Sequence, residues 1–261
     1  MSRLSTAPHC QLSANRLVAH RGLQKTYPEN TALSVRKAIE AGAQFVEIDI
    51  QLSSDQQPMV YHDMNLARVS GHKGRVSELS CEQLIALPAY EPGRLGDQFI
   101  EQTISPLAAV VEIVAMHAGV TLFVELKEES IAEFGAEIML ANVCEVLLPI
   151  RNRAVLISFD YKIIAAARAA GWPQVGAVLR KWRHIDSEEI ADIAGDYCFV
   201  DYKIIPENEN LARLTSTLVA YEVGTVELAH QLAARGVAMF ETFDINTLLN
   251  QTNKESRATD L

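Results

Sequence analysis

Cysteines are few in this chain, and they are scattered. Cys10, Cys81, Cys144 and Cys198 lie more than 50 residues apart in a sequence of 261, with no CxxC pair. That spacing excludes a thiolate zinc ribbon and argues against a disulfide framework, leaving four small hydrophobes in reduced form. Excess positive charge is missing as well: 23 Lys+Arg stand against 33 Asp+Glu, a net charge of −10. Nucleic-acid binding calls for a basic footprint, so that class of partner is excluded. No apolar run approaches the roughly 20 residues that span a bilayer. The segment 1–15, with Pro8, His9 and Gln11, lacks the apolar core of a secretory leader. A cytoplasmic protein without a membrane span is expected. Linkers, low-complexity tracts and internal repeats are also lacking, so residues 1–261 read as one domain.

What is present is a soluble, globular balance of 49% hydrophobic and 21% charged residues. Short apolar runs, rich in β-branched residues, recur at 17–20, 45–52, 59–62, 122–126, 155–159, 175–179, 198–202, 218–223 and 238–242. Helical spacing of apolar residues lies between most of them, for instance at 31–41, 161–170 and 226–235, each followed by a glycine (Gly42, Gly171, Gly236). Near-continuous apolar strands alternating with helices predict a parallel sheet covered by helices, and the length suits an α/β (β/α)8 TIM barrel. Nine runs are one too many for eight strands. Only six residues separate 45–52 from 59–62, too few for a parallel crossover. The run 59–62 is therefore expected to fold back antiparallel, setting His62 roughly opposite Glu47 and near Asp49. Residues 66–106 break the rhythm with Gly71, Gly74, Pro88, Pro92, Gly93 and Gly96, and carry one short helical pattern near 80–87. They read as a lid-like insertion over the active-site end.

Three strand ends carry dense polar groups: Ala19-His20-Arg21-Gly22 with Pro28-Glu29-Asn30-Thr31, Glu47-Ile48-Asp49 with His62-Asp63, and Glu125-Leu126-Lys127. The period of two places Glu47 with Asp49, and Glu125 with Lys127, on one strand face, which in a barrel is the interior. Buried acids and lysines are rare unless paired or bound to metal. Three carboxylates without thiolates favour one hard divalent ion, Mg²⁺ or Ca²⁺. Histidines beside such an ion suit general acid–base chemistry, and Arg21 and Lys127 suit a phosphoryl anion. The reaction class these residues describe is metal-assisted phosphodiester cleavage. Three acids against a divalent ion and two cations leave one positive charge, which a phosphodiester monoanion cancels.

On those same stretches the chain resembles the glycerophosphodiester phosphodiesterase family, in particular its cytosolic bacterial members. A weaker match continues through Leu156-Ile157-Ser158-Phe159-Asp160 and 218–223 to Gly236-Val237. The resemblance implies a (β/α)8 barrel with a small insertion between the third and fourth strands. It implies hydrolysis of small-molecule glycerophosphodiesters to glycerol 3-phosphate and an alcohol. Carried over by position, His20 and His62 would be the general acid and base, in either order. Glu47, Asp49 and Glu125 would hold the metal. Arg21 and Lys127 would touch the phosphate, and Glu29 and Asn30 would support the first loop.

The chain departs from the family pattern where Tyr221-Glu222-Val223-Gly224 replaces the frequent Trp-Thr-Val-Asn, and Thr242-Phe243 replaces Thr-Asp. Tyr221 keeps an aromatic substrate wall; Glu222 adds a negative charge. His9, His72, His117, His184 and His230 fit no constellation and are expected on the surface, while Trp172 and Trp182 are expected to pack helices. Tyr90 and Arg94, in the insertion, are candidates to touch substrate, although a loop arginine is more often solvated. Two alternatives stand beside the main reading. A lysophospholipase D or sphingomyelinase D-like enzyme would need an apolar surface for an acyl chain, for which Leu95, Phe99 and Ile100 are the candidates. A non-catalytic metal- and phosphate-binding protein would lack His20 or His62, and both are present.

Overall fold

The computed structural model describes residues 12–251. His9, Cys10 and most of the segment read for a leader lie outside the described residues. The strands are β1 (Leu17–Ala19), β2 (Phe45–Leu52), β3 (Pro58–Val60), β4 (Ser105–Pro106), β5 (Thr121–Leu126), β6 (Ala154–Ser158), β7 (Gln174–Leu179), β8 (Tyr197–Asp201), β9 (Thr217–Tyr221) and β10 (Met239–Thr242). Eight of them, β1, β2 and β5 to β10, pair in parallel, and β1 bonds both β2 and β10, closing the barrel. Helices cover the outside between successive barrel strands, except between β8 and β9, where two three-residue 3-10 turns stand instead, and the expected (β/α)8 fold is what forms.

Local chemistry sets the helix ends. Thr31 and Ser34 form a reciprocal capping box at the start of helix Ala32–Glu40. Asp160 caps helix Tyr161–Ala169 by accepting from the backbone of Lys162 and Ile163. Gly236, in the left-handed region at φ 105°, ends helix Val226–Arg235.

The hairpin forms as expected, with its register shifted by one residue. Ile50 pairs with Val60 and Leu52 with Pro58, and Tyr61 donates its N–H to the Asp49 carbonyl. Continuing that register sets His62 beside Ile48 rather than Glu47. β3 in turn pairs with the two-residue β4. The insertion thus follows the third strand in chain order, and around the barrel it falls between the second and third barrel strands. It contains three short helices, Ala67–Ser70, Cys81–Ile85 and Pro92–Leu95. Leu66, Val69, Val76, Leu84 and Ile104 pack with Met59 and Tyr61 into an apolar cluster of its own.

The barrel interior is layered. Val18, Phe123, Val155, Phe199, Val219 and Met239 fill its lower part, with Phe123 edge-on to Tyr197 and Phe199 at 4.9 and 5.0 Å. Above this plug, the same period of two brings polar side chains of β2, β5 and β10, with His20 just after β1, to the C-terminal mouth, where barrel active sites sit.

Candidate active site

β1 is short and β2 is long, and the difference builds the site. β1 pairs with β2 only at Phe45 and Val46, and β3 covers β2 only from Ile50 onward. Between them the β2 edge is met by the loop after β1. The Arg21 N–H donates to Glu47 Oε2 at 3.2 Å, and the Asp49 N–H donates to Asn30 Oδ1 at 3.1 Å. Asn30 Nδ2 then returns to Asp49 Oδ2 at 2.8 Å. The loop is folded tightly: Arg21 and Asn30 hold φ near 50°, and Gly22 sits at φ 81°, where a Cβ would lie 2.5 Å from Ser34 Oγ.

The charged side chains form a continuous chain of pairs. Arg21 Nε is 3.1 Å from Asp49 Oδ2, and its Nη1 is 2.9 Å from Glu29 Oε1. Lys127 Nζ is 3.3 Å from Asp49 Oδ1 and 2.8 Å from Glu125 Oε1. Glu29 also accepts from Gln24 and Arg68, and Arg68 reaches Asp63. Asp63 Oδ1 lies 2.7 Å from His62 Nδ1. Because burial is outweighed by bonds from His62 and Arg68, Asp63 is held below the usual carboxylate range and accepts from Nδ1, leaving His62 Nε2 for other partners. Gln51 Nε2 donates to the His62 carbonyl and is itself held by Ser130.

The carboxylates divide electrostatically. Burial disfavours the charge on Asp49, but Arg21 and Lys127 overcome it and hold this carboxyl far below its ordinary value. Glu47 goes the other way: burial, then Asp49 and Glu241, push it well up. Glu125 is raised by burial and Asp49, with Lys127 opposing. His20, buried against Arg21, is pushed down to about 3 and is neutral at neutral pH. Its Nε2 lies 3.8 Å from Glu47 Oε2 and its Nδ1 3.6 Å from Glu222 Oε1.

One cavity of about 150 Å³ gathers these groups: His20, Arg21, Glu47, Asp49, His62, Glu125 and Lys127 line it, and Tyr221 lies on its far side. Glu29 and Asn30 stand behind, touching Arg21 and Asp49 without reaching the cavity. Glu47, Asp49 and Glu125 each offer an oxygen within 4.8 Å of the others. Glu47 Oε1 is buried without a hydrogen-bond partner. A set of hard oxygen donors with a buried lone pair unused fits a divalent ion such as Mg²⁺ or Ca²⁺.

Residues 20–194 match the sequence profile of the Glycerophosphoryl diester phosphodiesterase family. The chain belongs to that family. Among its relatives, the glycerophosphodiester phosphodiesterase of Bacillus altitudinis is 30% identical over 154 residues, 58% of this chain and 60% of that protein. Glycerophosphodiester phosphodiesterase 1 of Mus musculus is 30% identical over 63% of this chain and 49% of its own length. The chain thus spans about half to three-fifths of these curated relatives. A glycerophosphodiester phosphodiesterase of Caldanaerobacter subterraneus subsp. tengcongensis aligns over 91% of this chain and 98% of its own length at 26% identity. In fold, the chain is similar to a phosphodiesterase of Oleispira antarctica solved with the product sn-glycerol-3-phosphate, at a TM-score of 0.78 and 23% identity, covering 93% and 100% of the two chains.

Sequence reasoning marked Glu222 as an added negative charge beside Tyr221 but missed Glu241; both line this family member's cavity beside His20. They add two acids to the cavity that the neutral charge count expected above left out. The signal for Glu241 was present: one acid inside the apolar run Ala238-Met239-Phe240-Glu241-Thr242. It also missed Glu91, a buried acid of the insertion that accepts from the Glu29 N–H at 2.8 Å. Arg94 binds Glu91 and the carbonyls of Lys25 and Tyr27, tying the insertion to the first loop. Neither Tyr90 nor Arg94 lines the cavity, nor do His72, His117, His184 and His230. His72 is exposed, and the other three are half-buried. Trp172 and Trp182 are buried, their N–H groups donating to the Ala154 carbonyl and to Glu209.

Proposed function

We propose that this chain hydrolyses glycerophosphodiesters to sn-glycerol 3-phosphate and an alcohol, with one divalent ion, Mg²⁺ or Ca²⁺, held by Glu47, Asp49 and Glu125. The observation that carries the reading is the single cavity where two imidazoles, three carboxylates and two paired cations converge. Family membership supports it, and so does the fold neighbour solved with its glycerol phosphate product. When bound, the ion supplies charge stabilisation at a phosphoryl oxygen.

The chain's own groups supply the rest. Arg21 and Lys127, fixed by Asp49, Glu29 and Glu125, present cationic edges to the phosphate. Of His20 and His62, one takes the proton of the attacking oxygen and the other returns a proton to the departing alcohol oxygen. Asp63 fixes the His62 ring so that Nε2 is the atom used. Glu29 and Asn30 position Arg21 and Asp49. None of residues 66–106 lines the cavity, so the insertion acts as a buttress of the first loop, through Arg68 and Glu91, more than as a lid. Cytoplasmic residence belongs to the same reading, supported by three free thiols at Cys81, Cys144 and Cys198. No helix among the described residues is long and apolar enough to cross a membrane.

The lysophospholipase D alternative has no such support: Leu95 and Phe99 are half-buried, Phe99 against Tyr27, and neither they nor Ile100 reach the cavity. The test is release of sn-glycerol 3-phosphate from glycerophosphocholine and glycerophosphoethanolamine. Turnover of these with no turnover of lysophosphatidylcholine is expected. Turnover of the lysolipid alone would reverse the assignment.

A further inference from the structure

The far side of the cavity holds two carboxylates that the hydrolytic machinery leaves unused. Glu241 is 3% exposed, lines the cavity, and its Oε1 has no hydrogen-bond partner. Glu222 lines the same cavity from the mouth, with its side chain 51% exposed. Among the described residues no lysine or arginine pairs with either, whereas Asp49, Glu125 and Glu29 are all matched by cations. Tyr221, the last residue of β9, lines the same cavity as the two acids. Across the cavity the Phe159 ring already carries a cation, since the Arg180 guanidinium lies 4.7 Å above it and pairs with Glu128. The β6–β8 wall facing the two acids is apolar, with Ile157, Phe159, Val178 and Phe199, so the unmatched carboxylates lie toward β9 and β10.

We propose that Glu222, Glu241 and the Tyr221 ring form a subsite for a cationic head group, an ammonium carried by the alcohol half of the diester. Two carboxylates and an aromatic face are the groups that recognise such a cation, by Coulomb attraction and by cation–π contact. The proposal rests on the phosphodiesterase reading and adds the substrate class to it: zwitterionic diesters are preferred over neutral-headed ones of the same shape. Glu222 and Glu241 here determine specificity and take no part in bond cleavage.

The test compares kcat/KM for glycerophosphocholine with that for its carbon isostere, the 3,3-dimethylbutyl ester of glycerol phosphate, in wild type, Glu222→Gln and Glu241→Gln, with bound metal counted in each. A wild-type preference for the choline ester of about tenfold is expected, the size of one good cation–π contact. Glu222→Gln should cut that ratio about fivefold, with the metal count unchanged. A ratio near one in wild type, or one that Glu222→Gln leaves intact, overturns the subsite. A carboxylate acting only on His20 Nδ1 would lower both rates together and leave the ratio, which also overturns it. A metal count that falls by one in Glu241→Gln would assign His20, Glu47 and Glu241 to a second metal instead. Hydrolysis of neither ester would contradict the phosphodiesterase reading itself, and is told apart from the other outcomes by the absence of any rate.

Discussion

The two sides of the barrel mouth are built by the same strand alternation from opposite chemistry. On the β1–β2–β5 side the mouth positions are charged, with Arg21 and Lys127 clamped on Asp49 and Glu47 left with an unpartnered oxygen. On the β6–β8 side the corresponding positions are Ile157, Phe159, Val178 and Phe199, continuous with the aromatic plug below. The charged side is held by short ion pairs that fix atoms where an anion and a metal would bind. The apolar side excludes water and raises the strength of every charge opposite it. Specific geometry is thus concentrated on one arc, and the other supplies the low-dielectric wall.

Removing an imidazole breaks this division most severely. His20→Ala or His62→Ala should lower kcat about 10²–10⁴-fold. A variant retaining more than a tenth of the wild-type rate would take that histidine out of proton transfer. Glu47→Gln should come next, weakening the divalent ion in calorimetric titration by more than the roughly 10–100-fold that outer-shell partners are worth. Asn30→Ala removes only the support of Asp49, and a loss within that 10–100-fold range is expected from the same titration.

Glu241→Gln should act on stability, with a definite sign. Burial, Glu125 and Asp49 raise this carboxyl, so the folded state binds its proton more tightly than the unfolded chain does. Its ionisation therefore costs stability as pH rises above the ordinary carboxylate range. In metal-free protein at pH 8 the Gln variant should melt roughly 2–4 °C higher, the shift about 1 kcal/mol produces in a chain of this size. The difference should vanish near pH 4, and an equal shift at both pH values would contradict the burial argument. Smallest in its effect on the metal, Phe199→Leu on the apolar side should leave metal affinity within about twofold and change stability by around 1 kcal/mol.

The charged arc was largely legible in the sequence, and the apolar arc's neighbours were not. Glu47 with Asp49 and Glu125 with Lys127 advertise themselves by the period of two, because a charge inside an apolar strand has few structural uses. Glu241 carries the same mark, but its meaning depends on β10 lying beside β1, which only barrel closure provides. The hairpin was readable from its loop length, whereas its register depended on a turn at Ser53–Gln57 whose bonds no spacing rule fixes. The insertion looked irregular because its helices are one turn long. Its apolar cluster depends on Met59 and Tyr61, contributed by β3 and the residue that follows it.

The measurement that bears most directly on the account is the rate of sn-glycerol 3-phosphate release, followed on one sample stripped with EDTA and then reloaded stepwise with Mg²⁺ or Ca²⁺ while bound metal is counted. The rate should fall to background in EDTA and rise in proportion to occupancy of a single site, and Glu47→Gln should show neither occupancy nor rate at the same ion concentration. Full turnover in EDTA, or a rate independent of occupancy, would contradict it.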